Sequence, residues 1–331
     1  MPHADRFVAR HWRFAALLMP ALLQLSVLAP ATWAKDPPPV AATKPAASAT
    51  AAFPAQLIHW VPGANNPVFT AEGPGHWDVK IRERGWILRE GDTWHLWYTG
   101  YDGTRAGIKL LGYATSPDGL RWTRSPKNPL VRDHWVEDMM VVKQGETYFM
   151  FSEGPANGHS ELLTSRNGVD WKWEGPLDIR LSDGSQPAKR PGGTPTVWIE
   201  NGTWYLFHEW LDQGVWLATT KDPMARVWTN VQDEPVLVPG PAEYDKKLIA
   251  LDQVIRHGDA YYAFYHASAG GSPATWNTNL ARSTDLVHWE KYEHNPIVAD
   301  NKSSGVVVSD AGGYRLYTMH DLVDVFFPRA R

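Results

Sequence analysis

Apolar residues in this chain come in paired short runs, each pair bent around a polar turn. Five stretches carry the pattern: GWILREGDTWHLWYTG (85–100), MMVVKQGETYFMFSEG (139–154), PTVWIENGTWYLFHEW (195–210), DQVIRHGDAYYAFYHA (252–267) and GVVVSDAGGYRLYTMH (305–320). Two β-rich runs around a short turn predict a hairpin. The first run of each is apolar at nearly every position, which predicts a strand buried on both faces. A second pattern follows four of the hairpins: GYATSPDGLRW (112–122), LLTSRNGVDW (162–171), WLATTKDPMARVW (216–228) and LARSTDLVHW (280–289). Asp-Gly and Asn-Gly tolerate the positive φ of a tight turn, and the tryptophan then opens an outer strand. The unit is four antiparallel strands repeated five times over residues 57–331. Such a repeat predicts an all-β fold, a five-bladed β-propeller with four-stranded antiparallel blades. A β-sandwich is the alternative, and five similar units argue against it.

A third pattern sits out of place. HWVPGANNPVF (59–69) resembles RWTRSPKNPLV (121–131), VWTNVQDEPVL (227–237) and HWEKYEHNPIV (288–298), although it precedes the first hairpin. Five blades need five tryptophan strands, and only four follow the hairpins. Residues 57–60 are therefore expected to be the displaced outer strand of blade 5, closing the ring beside residues 321–328. Trp60 should then pack as Trp122, Trp228 and Trp289 do. Closure of this kind protects strand edges that would invite association.

The N-terminal end reads differently. Residues 1–13 carry three arginines, 14–29 are apolar, and small residues end at Ala34. That is the layout of a signal peptide, 1–34, and predicts a secreted or periplasmic protein. A membrane anchor is the rival, but the run is short for a span and holds Pro20. No membrane insertion is expected after removal of the leader. The Ala/Pro-rich stretch 35–56 reads as a disordered linker, which leaves 57–331 as the propeller domain.

The 331 residues include no cysteine, which removes disulfides, thiolate metal sites and Cys nucleophiles. Taking the leader's +2 from the net charge of −4 leaves about −6, which disfavours nucleic acid as a partner. The 18 Trp and 12 Tyr suit either large cores or the stacking of sugar rings on flat aromatic faces, and composition does not separate the two.

In a propeller the inner strands begin, and the second strands end, around one axial mouth. Aligning the hairpins on their turns gives two rings. The first is Glu83-Arg84, Glu137-Asp138, Gly193-Thr194, Leu251-Asp252 and Ser303-Ser304; the second is Thr99, Glu153, His208-Glu209, His266 and His320-Asp321. Asp78 lies just before the first strand. A lone carboxylate at a strand end is usually a cap or a rim ion pair. Here Glu83, Glu137, Asp138, Glu153, Glu209 and Asp252 are expected around one pocket. Their repulsion must be relieved by arginine, a cation or a raised pKa. Arg82, Arg84 and Arg190 can do part of this. Paired carboxyls near aromatics suit glycoside hydrolysis, in which one acid protonates the leaving oxygen and a second carboxylate activates water or attacks carbon. His95, His257 and His288 belong to turns and strands. His208, His266 and His320 recur at matched strand ends.

The blade pattern over residues 57–328 resembles the five-bladed propeller glycosidases, among them glycoside hydrolase families 32, 43, 68, 117 and 130. ERGWILREGDTWHLWYTG and VEDMMVVKQGETYFMFSEG carry the resemblance best. It implies a catalytic Asp at the opening of blade 1, a place held by Glu83 with Asp78 as rival. It implies an Asp opening blade 2 that tunes the acid, matched by Asp138. It implies a general-acid Glu opening blade 3, where this chain has Gly193-Thr194-Pro195. Glu209, on the partner strand, is the nearest replacement, Glu153 the next, and a histidine the third. The working assignment is Glu83 or Asp78 as base, Asp138 as tuner and Glu209 as acid, with inversion favoured. Arg84, Glu137, Glu153, His208, Asp252, His266 and His320 are expected to bind substrate. The resemblance also implies that an axial calcium ion could be held near an axial histidine, although no cofactor is required. The expected partner is a poly- or oligosaccharide, acted on by a monomer. A phosphorylase or a non-catalytic sugar-binding propeller are the alternatives.

Overall fold

The structure is a computed structural model that describes residues 52–155, 159–188, 192–310 and 312–329. The expected leader, most of the expected linker, and Lys189 and Arg190 lie outside the described residues. Nearly every described element is a strand, and among the described residues no helix is long and apolar enough to cross a membrane.

Five antiparallel sheets form the blades, and chain order runs outward through each. Blade 1 holds Trp86–Glu90, Thr93–Tyr101, Leu110–Ser116 and Thr123–Arg124, with Lys80–Ile81 added beside Thr93–Tyr101. Blade 2 holds Glu137–Gln144, Thr147–Glu153, Ser160–Ser165 and Trp171–Pro176. Blade 3 holds Gly193–Glu200, Thr203–Glu209, Val215–Thr220 and Val227–Asn230, with Asp178–Arg180 parallel to the last. Blade 4 holds Leu248–His257, Ala260–Ser268, Asn277–Ser283 and Glu290–Lys291. Blade 5 takes Gly305–Asp310, Gly313–Met319 and Val323–Pro328 from one end of the chain. Its outermost strand, Trp60–Pro62, comes from the other end and pairs Trp60 with Pro328 and Pro62 with Phe326. The hairpin turns explain their sequences. In blade 3, Asn201 (φ 49°) and Gly202 (φ 71°) are both left-handed, as a two-residue turn between twisted strands requires.

The recurring tryptophan has a packing role. Trp171, which opens the outer strand of blade 2, meets Trp97 on the second strand of blade 1 edge-on at 6.2 Å. Trp228 meets Phe151 at 5.9 Å and Trp289 meets Phe207 at 6.0 Å in the same way. Each tryptophan thus seals a blade against the one before it. Trp60 packs in one cluster with Phe264 of blade 4, which continues the series around the ring. Its indole donates to Leu57 O at 2.9 Å, as Trp171 does to Gly168 O at 3.1 Å and Trp289 to Leu286 O at 3.0 Å. Trp122 and Trp228 share the location without this bond, their indole N–H groups being buried and unpartnered.

The Asn-Pro element is a clamp. Asn66 accepts from Val325 N and donates to Val325 O, both at 2.9 Å. Asn128 does the same to Tyr113 at 3.0 Å, and Asn295 to Leu280 at 2.9 Å. The side-chain amide mimics a peptide group and satisfies the third strand of its blade.

Two sequence boundaries shift. Ala55–Ile58 is a single helical turn, so the closing strand starts at Trp60 and not at Leu57. Packing begins before the expected end of the linker, because Phe53 lies against Tyr262 and Tyr292, with the Arg282 guanidinium over its ring.

Candidate active site

At the mouth of the axis the chain adopts an unusual conformation at matched places. Arg84 (φ 50°), Asp138 (φ 46°), Thr194 (φ 44°) and Ser304 (φ 57°) open the inner strands of four blades with left-handed backbones. In the remaining blade, Asp252 sits where the register shifts between Leu251 and Gln253. For residues with a side chain this geometry costs on the order of 1–3 kcal/mol each, and it concentrates where function needs a fixed direction.

The second strands return their last residues to the same place. Glu137 pairs with Glu153 and Gly193 with Glu209 in direct register. A cavity of about 380 Å³ opens there, lined by Glu83, Asp138, Glu153, Glu209, Asp212 and His266, with Arg82, Trp210 and Trp276 on its walls. Gly193 is essential to its shape. A Cβ at this position would lie 1.6 Å from Glu209 Oε1 and 3.5 Å from Glu153 Oε2. The Glu209 carboxyl thus occupies the space in front of the blade-3 opening, where the resemblance would place its acid.

The carboxyls divide into two kinds. Burial works to protonate Glu83, but His320 (3.1 Å), Arg82 (3.1 Å) and the charge on His266 hold it down to about 2. Glu209 is pushed up to about 8 by burial and by Asp212 and Glu153, although Asp212 N–H donates to its Oε2 at 2.5 Å. Burial and Glu137 push Glu153 up to about 7. Asp138, half-buried at the cavity wall, is raised well above the carboxylate range by burial and then by Glu137, Glu83 and Glu153; its Oδ1 has no hydrogen-bond partner. Asp212 is raised chiefly by burial. His266 runs the other way. Burial would strip its proton, yet Asp252, at 2.7 Å from Nδ1, together with Asp212 and Glu83, holds its pKa up to about 9.

Several expected residues lie elsewhere. Asp78 is fully buried behind the blade, 3.6 Å from Arg124 and 3.4 Å from Tyr98 Oη, so it does not compete with Glu83 for the cavity. Arg84 is not a substrate contact. It is buried and donates to Asp138 O (2.8 Å), Pro195 O (2.7 Å), Thr196 Oγ1 and Asp252 O (3.3 Å), so it ties four blades together across the axis. Glu137 is spent on Arg82 and on Trp135 Nε1. Asp252 serves His266 and, through Oδ2, Gly305 N, and does not line the cavity. His208 faces away because adjacent strand residues point to opposite faces and Glu209 takes the axial one; it bonds Asn230 and is kept neutral by burial, down to about 4. His320 touches Glu83 and Ser303 at the rim. Thr99 is committed to Val136 O.

The sequence alignment missed Trp210, Leu211, Asp212 and Trp276. Trp210, Leu211 and Asp212 follow the end of Thr203–Glu209 and Trp276 precedes Asn277–Ser283, all in connections outside the strands. Leu211 (φ 52°) and Asp212 (φ 55°) form a left-handed pair that turns Asp212 back over the cavity.

The donor set does not fit an axial calcium ion. A hard cation needs several oxygens around one point, whereas the axis is crossed by the Arg84 guanidinium, which donates to Asp138 O, Pro195 O and Asp252 O. Among the described residues no three His, Asp or Glu side chains converge as metal ligands.

No protein-family model and no curated protein matches the sequence. Solved structures do. A glycosyl hydrolase from Bacteroides ovatus aligns over 81% of this chain and 92% of its own, with 17% identity and a TM-score of 0.66. A structure from the GH130 family of mannoside phosphorylases, a family that contains glycoside hydrolases targeting β-1,2 mannosidic linkages in Candida mannan, aligns over 82% and 94%, with 16% identity and a TM-score of 0.64. A β-1,2-mannobiose phosphorylase from Listeria innocua aligns over 81% and 96%, with 14% identity and a TM-score of 0.62. At these identities the likeness is one of fold, and the family is unassigned.

Proposed function

We propose that this chain is a glycoside hydrolase whose acid is Glu209 and whose base is Glu83. One observation carries the reading: a single cavity holds one carboxyl down to about 2 and another up to about 8. Two titratable groups pushed apart in this way form an acid/base pair at neutral pH. Glu209 donates its proton to the glycosidic oxygen as the bond from that oxygen to the anomeric carbon breaks. Glu83 takes a proton from a water that attacks the same carbon. Asp138, which burial and the Glu137, Glu83 and Glu153 carboxylates keep protonated, tunes the pair. The base-plus-water arrangement predicts inversion, and proton NMR of the first-formed anomer tests it. Export follows from the leader expected at residues 1–34.

The decisive assay is a panel of aryl glycosides and oligosaccharides, with β-1,2-mannobiose included because two of the fold neighbours are described by that linkage. Glu209→Gln should lower kcat/KM on oligosaccharides by about 10²–10⁴-fold, the contribution of a positioned acid. It should spare glycosyl fluorides, whose leaving group needs no proton. Full activity of this variant on oligosaccharides would remove Glu209 from the role.

A second reading has its own observation. Arg82 and His266 bring positive charge to the same cavity, which suits a phosphate in place of the attacking water. Turnover that requires inorganic phosphate and yields a sugar 1-phosphate would make the chain a phosphorylase.

A further inference from the structure

Blade 3 carries a second cleft that the reaction above does not use. It has a volume of about 170 Å³ and is lined by Leu181, Pro187, His208, Trp210, Trp216 and Asn230, with Asp233 also on its wall. At liquid density that is room for about five or six waters. Trp210 lines both this cleft and the catalytic cavity, so one indole separates them. The two spaces lie on opposite faces of one strand end, because His208 and Glu209 are consecutive residues with opposite side-chain directions.

Among the described residues the lining is largely aromatic and uncharged apart from one carboxylate. Trp216 stands opposite His208 in register, and the two rings stack at 6.3 Å with an interplanar angle of 18°. The His208 imidazole is held neutral, with Nε2 3.1 Å from Asn230 Oδ1. The Trp216 indole is fixed by its N–H, which donates to Asp233 O at 2.9 Å. Trp210 and Trp216 are both half-buried, so each has surface to offer. A ligand here must present apolar C–H faces to indoles and a few hydroxyls to Asp233. A neutral pyranose or furanose has that chemistry; an anion or a cation does not.

We infer that this cleft is a binding subsite for the sugar on the leaving-group side of the scissile bond. The inference rests on Glu209 being the acid, since the group that accepts its proton must depart along the wall that Glu209 and Trp210 share. It makes the substrate at least a disaccharide and assigns to Trp216 a role in binding without one in the chemistry.

The test is calorimetric titration of the Glu209→Gln protein with manno-, gluco-, galacto- and xylo-oligosaccharides of one to four units, repeated with Trp216→Ala and Trp216→Phe added. For the preferred sugar, the step from one unit to two should tighten Kd by about tenfold or more, a gain of about 1.4 kcal/mol. Trp216→Phe should keep most of that gain and Trp216→Ala should abolish it, with affinity for the single unit unchanged. If Trp216→Ala fails to fold, Asp233→Asn in its place should reduce the gain. An undiminished length gain in these variants, no gain in the parent, or no binding of any sugar overturns the subsite. A gain lost with Trp216 in a protein that cleaves nothing keeps the subsite and sinks the hydrolase reading. Cleavage with the gain unaffected by Trp216 does the reverse.

Discussion

Gly193 shows how one missing side chain relocates a catalytic group. The position faces Glu209 across the hairpin, and its bare Cα leaves the space that the Glu209 carboxyl fills. Its backbone φ is not in the left-handed region, so alanine is tolerated by the backbone and fails only on the carboxyl. Gly193→Ala should therefore melt near the wild type while losing about 10²–10⁴-fold in kcat/KM, the share of the displaced acid; thermal melting and kinetics on one preparation check both halves. The pH profile follows from the same residues. Activity needs Glu83 ionised and Glu209 protonated, so kcat/KM should be flat through mildly acidic pH and fall through about 8. The charge on Glu153 helps to raise Glu209. Glu153→Gln should move that alkaline limb to lower pH, and an unmoved limb would uncouple the two. At this scale the sequence was only half legible. Hairpin alignment brought Glu83, Asp138, Glu153, Glu209 and His266 to one mouth. It could not tell Asp138 from its neighbour Glu137, because a left-handed kink decides which of the two faces the cavity. Strand alternation alone should have turned His208 away once Glu209 was placed inward.

At the scale of the element, the recurring Trp and Asn-Pro signals made the fold readable, because the first answers a need that every blade shares and the second recurs in three of the five. The tryptophan fills the wedge between adjacent blades. The asparagine completes the hydrogen bonding of a third strand. Asn66→Leu removes both partners of the buried Val325 peptide group and should cost roughly 1–3 kcal/mol, read as a shift in denaturant midpoint. A chain starting at Gly63 loses the closing strand as well and should fall much further than one starting at Ala55. Equal loss from both truncations would mean that residues 60–62 contribute nothing. Blades 2 and 3 lack the Asn; blade 3 carries Glu234-Pro235 instead and adds the parallel strand Asp178–Arg180 at its outer edge. Nothing in the repeat pattern announced that strand, since it belongs to the connection between blades.

Across the whole molecule, the crowding at the axis makes stability depend on pH. Glu153 and Glu209 have folded pKa values above those of the unfolded chain, near 7 and 8, and His266 is raised to about 9. For all three the folded state holds protons that the unfolded state has released. Through these three groups stability falls as pH rises from about 4.5 to 9, with the contribution of His266 lost between about 6.5 and 9, while His208, held down to about 4, works the other way below about 6.5. Asp252→Asn removes the partner that keeps His266 charged, so the variant should be less stable at pH 6 and lose less on going to pH 9. Melting curves across that range would contradict the account if the two proteins declined in parallel.

The pairing of Trp60 with Pro328 also fixes an order of events in synthesis. The strand that finishes the ring is among the first of the domain to leave the ribosome, and its partner is the last. Four blades can complete themselves as they emerge, each from neighbouring residues, but the fifth must wait until more than 260 residues separate its two halves. Through that interval the edge of residues 60–62 has no partner of its own. The apolar face around Trp60 is then the surface most open to a chaperone, or to the same strand of another nascent chain.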